Sequence, residues 1–189
     1  VRLSDPTPPS WIEAVLGDFD AFLLDHAACE RKASASALAF VAHYPDRPDL
    51  VDRCIGLARE ELEHFHRVYG KIAERGLRLA PDTRSEYAGR LSRHFRQGSD
   101  AYFLDRLLTA AVVEARGCER FGLVAAALPA GAMKDFYREI ARSEVRHHEL
   151  YRDLARIYFD DAAVEERLAE ILEIESGVMR ELPVRAALY

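Results

Sequence analysis

Glu61-Leu62-Glu63-His64 and Glu144-Val145-Arg146-His147 repeat one pattern, a Glu and a His three residues apart, each inside a long helical stretch. Residues three apart share a helix face, so each Glu/His pair can reach a single point. With 32 acids and seven histidines in the chain, chance alone supplies about one acid-x-x-His pair, so the pattern gains meaning only from its surroundings. Two further acids, Glu30 and Glu114, sit in the apolar stripes of the preceding helical segments. Around Glu30 the stripe is Phe22, Leu23, Ala27, Ser34, Ala37, Leu38 and Val41, at steps of three and four. The spacings agree: 31 residues separate Glu30 from Glu61, and 30 separate Glu114 from Glu144. Counted from turns near Arg47 and Ala130, Glu30 lies 17 before and Glu61 14 after, while Glu114 lies 16 before and Glu144 14 after. Antiparallel helices rise equally from a turn, so all four acids fall in one layer, with each histidine a turn away.

The punctuation around these segments is helical. Ser10-x-x-Glu13 reads as a capping box for a short first helix that Gly17 ends. Asp18 or Asp20 caps a long helix to about Tyr44, Asp46 caps a second one that Gly76 closes, and Pro48 is tolerated in its first turn. Residues 77–99 hold Pro81, Gly89 and Gly98 and predict a crossover with one short helix near 85–95. Asp100 caps a third long helix to about Leu128, a fourth runs to about Phe159, and an acidic fifth covers about 162–181. No segment alternates with period two for long enough to be a strand. The expectation is an all-α, four-helix bundle of two antiparallel hairpins joined by a long crossover, with extra short terminal helices. It forms one domain over 1–189, with its bundle core at about 18–159.

Composition narrows the function. The chain has 189 residues, 49% hydrophobic and 31% charged, enough for a substantial core. Ten scattered glycines and eight prolines argue against a turn-rich sandwich and against a Gly-rich phosphate loop. The longest apolar run, 123–133, is too short to span a bilayer and no signal peptide opens the sequence. Three distant cysteines suit a reduced, cytoplasmic setting better than a disulfide framework. All but three of the 26 basic residues are arginine, and the formal net charge is −6. That sum discourages a nucleic-acid partner.

Four carboxylates in one buried layer would repel one another and shift sharply upward in pKa unless cations joined them. A carboxylate-rich set with two imidazoles suits iron or manganese better than zinc. The overlapping pair Glu63/His66 lies about 200° around the helix from Glu61/His64, so both cannot face the core. A small internal repeat, Cys29-Glu30-Arg31 and Cys118-Glu119-Arg120, nominates Glu119 as an alternative to Glu114. Glu119 is only 11 residues before the turn, more than a helical turn from the layer. Asp25 lies at the height of His64 and is placed to orient that imidazole, and His148 is a flanking candidate. Cys29 and Cys118 read as small core residues. Ala27, Ser34, Ala110, Ala111 and Gly117 flank the acids and leave room for an apolar substrate or for close helix packing.

The strings Asp25-His26-Ala27-Ala28-Cys29-Glu30, Arg59 to Phe65, Glu114 to Phe121 and Ser143 to Tyr151 resemble the bacterial tRNA hydroxylases that act on 2-methylthio-N6-isopentenyl-adenosine. The resemblance runs from about Trp11 to beyond Tyr158 in order and spacing. It implies a ferritin-like fold and a non-haem di-iron monooxygenase that uses O₂ and two electrons on the prenyl group beside the anticodon. Carried over by position, the ligands are Glu30, Glu61, His64, Glu114, Glu144 and His147. No separate acid or base residue is expected. An external electron-transfer protein or reductase is implied, since no flavin or nicotinamide motif is present. The alternatives are an iron-storage or a peroxide-reducing di-iron protein of the same fold.

A tRNA substrate needs a positive surface. Between Asp82 and Gly98 the crossover carries Arg84, Arg90, Arg93 and Arg96 against Asp82 and Glu86, with Tyr87, His94 and Phe95 among them to stack an anticodon base. Glu165, Glu166, Glu170, Glu173 and Glu175 load the last helix with negative charge, which is expected to lie away from the RNA.

Overall fold

The computed structural model describes residues 1–189 and contains helices only: α1 Pro9–Gly17, α2 Phe19–His43, α3 Pro48–Glu74, α4 Glu86–Ser92, α5 Ser99–Ala127, α6 Ala132–Tyr158 and α7 Asp161–Glu181. Two compact units share the chain. One comprises 13–83 with 185–188, and the other comprises 1–12, 84–184 and Tyr189. Each is built around one long antiparallel hairpin, α2 with α3 and α5 with α6.

In the first unit, Asp18 caps α2 by accepting from the Ala21 N–H at 3.1 Å. Phe22, Leu23, Ala27, Ala37 and Phe40 of α2 and Leu50, Cys54, Leu57, Val68 and Ile72 of α3 form the buried stripes. Ser34 donates to the Ala58 carbonyl at 2.8 Å and tightens the hairpin, so this small residue serves helix packing. The N-cap of α3 is Arg47, not Asp46, and no side chain caps it. Pro48 takes the first helical position, which forces extended backbone on the residue before it and removes one N–H that a cap would serve. At the far end Gly76 adopts φ +71°. Its N–H and that of Leu77 bond back to Ala73 and Ile72, the left-handed closure glycine permits.

In the second unit, Ser85 caps α4 by accepting from the Ala88 N–H. Gly98 at φ +96° is the N-cap of α5, so Asp100 is not a cap but a first-turn acid that favours the helix dipole. The acidic helix α7 lies against α5 and α4, contrary to its expected remote position. Its apolar stripe Val164, Leu168, Ile171 and Val178 has to be buried, and two charged contacts fix it there. Arg167 forks onto Asp105 of α5 at 2.8 and 2.9 Å. Arg116 of α5 forks onto Glu175 at 2.8 Å on both arms, and the Tyr87 hydroxyl donates to the same carboxylate. Asp5 and Thr7, ahead of α1, join this network through Ser176, Arg180, Glu119 and Arg116.

Candidate metal centre

Each hairpin carries a buried Glu/His pair of the kinds that can hold a metal ion. In the first unit, His64 Nδ1 lies 3.4 Å from Glu61 Oε2 and 3.6 Å from Glu30 Oε2. In the second, His147 Nδ1 lies 3.3 Å from Glu144 Oε2. Glu61/His64 and Glu144/His147 are buried groups of the kinds that hold a metal ion. Glu30 and Glu114, the other two expected ligands, are buried as well, and all six residues are 9% exposed or less. The overlapping register is ruled out by exposure, because Glu63 and His66 are 64% and 77% exposed.

The donor set fits a pair of divalent cations. Two carboxylates and one imidazole within each hairpin are removed from water, and burying such anions uncompensated costs several kcal/mol each. Cations matched to oxygen and imidazole donors relieve that cost, and carboxylate-rich sites favour iron or manganese.

Several neighbours of these groups have other tasks than the sequence suggests. Asp25 does not orient His64; it accepts from the Leu188 N–H at 2.6 Å and from the Cys29 thiol. Glu119 accepts from the Thr7 N–H and hydroxyl and from Arg116, which holds the segment before α1. His148 is buried, 3.1 Å from the Val1 nitrogen, and burial holds its pKa below the usual value. Gly117 leaves space for the Tyr189 hydroxyl, which a Cβ there would meet at 2.8 Å. Burial pushes the Cys118 thiol up to about 11, with Glu144 adding to the effect, and burial also raises Cys29 well above the ordinary 9.0.

The residue that sequence reasoning missed is His26. It is fully buried, and its Nε2 lies 2.5 Å from Glu30 Oε1. The spacing of four from an expected ligand was the available signal.

The crossover arginines divide. Arg90 is held by Glu86 and Glu181, and Arg96 by Asp105. Arg84 and Arg93 are exposed with no ion pair. Tyr87 is buried against Glu175 and cannot stack a base. Phe95 meets Tyr102 edge-on. Glu173 and Glu181 line the same groove as Arg93 and His94, so the acidic helix borders the basic stretch rather than avoiding it.

The family model described as tRNA-(MS[2]IO[6]A)-hydroxylase (MiaE) matches residues 2–186. The tRNA 2-(methylsulfanyl)-N(6)-isopentenyladenosine(37) hydroxylase of Pseudomonas putida is 39% identical over 162 residues, covering 86% of this chain and 78% of that protein. The protein of the same name from Salmonella typhimurium is 28% identical over 200 aligned positions, covering 80% of this chain and 74% of its own. Among solved structures, protein 43 with aldehyde deformylating oxygenase activity from Synechococcus superposes with a TM-score of 0.93 at 35% identity, covering 98% of this chain and 93% of that one. The fold is therefore the all-α, ferritin-like four-helix class that the spacing of the acids demanded. With a family match across nearly its whole length, this chain belongs to the tRNA-(MS[2]IO[6]A)-hydroxylase (MiaE) family.

Proposed function

We propose that this protein is an O₂-dependent, non-haem di-iron tRNA hydroxylase acting on the isopentenyl side chain of 2-methylthio-N6-isopentenyl-adenosine next to the anticodon. The observation that carries this reading is the pair of buried Glu-x-x-His half-sites in a chain matched along 2–186 by the hydroxylase family. Glu30, Glu61 and His64 of the first unit and Glu114, Glu144 and His147 of the second are the ligands. Bound iron supplies the redox chemistry that an unactivated C–H bond requires, which acid–base groups alone cannot. The overall reaction is R–H + O₂ + 2e⁻ + 2H⁺ → R–OH + H₂O, with electrons from a separate electron-transfer protein or reductase.

The chain's own contribution is placement and exclusion. Glu61 and Glu144 lie in mid-helix, where a rigid backbone fixes the height of each carboxylate. His64 and His147, one turn on, present Nδ1 toward those acids. Burial of all six side chains keeps bulk water from the reacting groups. Arg84 and Arg93, free of ion pairs, are the better candidates for tRNA phosphates, while Arg90 and Arg96 first have to leave Glu86, Glu181 and Asp105. No helix is long and apolar enough to cross a membrane, and a tRNA substrate places the reaction in the cytoplasm.

The test is nucleoside analysis of tRNA from a strain lacking the gene, with and without complementation by this chain. Loss of the hydroxylated nucleoside, restored by the wild type and not by Glu61→Ala, is expected. Unchanged hydroxylation in the deletion strain refutes the assignment. The Synechococcus protein acts on aldehydes by name, so an aldehyde is the second substrate to assay; turnover of aldehyde without turnover of tRNA would replace this reading.

A further inference from the structure

The two half-sites share the Glu-x-x-His pair and differ in what stands behind the remaining glutamate. On α2, Phe22, His26 and Glu30 follow one another at intervals of four and share a face. The His26 ring lies stacked on Phe22, with centroids 6.1 Å apart and planes at 29°. Its Nε2 is 2.5 Å from Glu30 Oε1. A carboxylate only accepts, so in this pair the Nε2–H is the donor. The other oxygen, Oε2, faces the His64 side of the site at 3.6 Å. The two oxygens of Glu30 are thus divided between a fixed partner and the ligand group.

On α5 the position four residues before Glu114 is Ala110, whose methyl group has no proton to donate. Position for position, the Glu30 tether has no counterpart there.

We propose that His26 is a positioning residue that fixes Glu30 for ligation through one oxygen. The proposal rests on the reading of the six residues as a two-metal centre. The position built by Glu30, Glu61 and His64 is pre-formed, because Glu30 is already held before a cation arrives. Hydrogen bonds to ligating side chains commonly govern affinity, and their removal costs about 10- to 100-fold.

The test is anaerobic cobalt(II) titration of the chelator-stripped full chain, followed by visible absorption, for the wild type, His26→Gln and His26→Asn. The Gln amide reaches the place of Nε2, whereas the Asn amide stops short at the place of Nδ1. The wild type and H26Q are expected to bind two ions with affinities within about threefold of each other's. H26N is expected to keep one ion at wild-type affinity and to weaken the other at least about tenfold. Wild-type binding by H26N overturns the proposal, as does equal weakening by both variants or equal weakening of both ions. If H26N does not fold, H26Q decides: retention of both ions supports the tether, and loss of one refutes it. A wild type that binds no pair of ions overturns the metal-centre reading itself, and that failure is separate from any effect of His26.

Discussion

Asp105→Asn removes one buried charge and almost no volume, so it isolates the electrostatic anchor between α5 and α7. Asp105 is fully buried and receives Arg167 Nε and Nη2 at 2.8 and 2.9 Å, the Arg96 guanidinium at 2.8 and 3.1 Å, and the Arg96 backbone N–H at 2.7 Å. Removing one partner of a buried ion pair costs about 3–5 kcal/mol. The lower end applies here, because Arg96 is 43% exposed and can return to water, and Arg167 keeps Glu170. A loss of about 3 kcal/mol lowers Tm by about 6–12 °C in a chain of this size. Thermal melts at neutral pH measure it directly. Titration gives a second check: burial alone would push the Asp105 carboxyl up, but the hydrogen bonds from Arg167 and Arg96 outweigh burial and hold it below its ordinary 3.8. A depressed carboxylate stabilises the fold fully above that ordinary value and loses its contribution as pH falls through the lower native value. The Tm gap between wild type and D105N is therefore constant down to about pH 4 and closes below it. A shift under about 2 °C, or a gap that widens in acid, refutes the reasoning.

Three other outcomes are expected. Glu61→Ala and Glu144→Ala each lose iron measured by elemental analysis, and neither gains thermal stability on iron addition as the wild type does; full occupancy in either contradicts the assignment of ligands. The Cys118 thiol, pushed up to about 11 from an ordinary 9.0, has its thiolate fraction at neutral pH cut about 100-fold, so site-resolved alkylation of metal-free protein is slow; labelling at the rate of a free thiol refutes it. Arg84→Glu with Arg93→Glu weakens tRNA binding at least about tenfold and flattens its salt dependence, while iron content is unchanged; unaltered binding removes the crossover as an RNA contact.

The helices and the layer of acids were legible because both follow local rules. Period, caps and counting from a turn place Glu30, Glu61, Glu114 and Glu144 without knowledge of distant neighbours. The two shifted caps show the limit of those rules: Pro48 and Gly98 each settle the first turn before Asp46 or Asp100 can act. What remained hidden depends on partners far along the chain. Arg116 and Glu175 are 59 residues apart, Asp105 and Arg167 are 62 apart, and no spacing marks either pair. The same pairs carried α7 against the crossover and changed the expected RNA surface. His26 stands at the spacing of four before Glu30, but its aim at the Glu30 carboxylate depends on side-chain orientation, which no spacing gives.

The segment ahead of α1 has a bearing on how the molecule is made. Asp5 and Thr7 find their hydrogen-bond partners at Arg116, Glu119, Ser176 and Arg180, more than a hundred residues later. On a ribosome α2 and α3 can pair with each other as soon as they emerge, whereas these first residues have to wait until α7 is synthesised. Such distant closures are slow relative to hairpin formation. The expected order of assembly is therefore early hairpin, late hairpin, and then capture of the opening segment. Truncation before α7 leaves that segment, the Arg116 guanidinium and the apolar face of α5 exposed together, a combination that chaperones and proteases recognise.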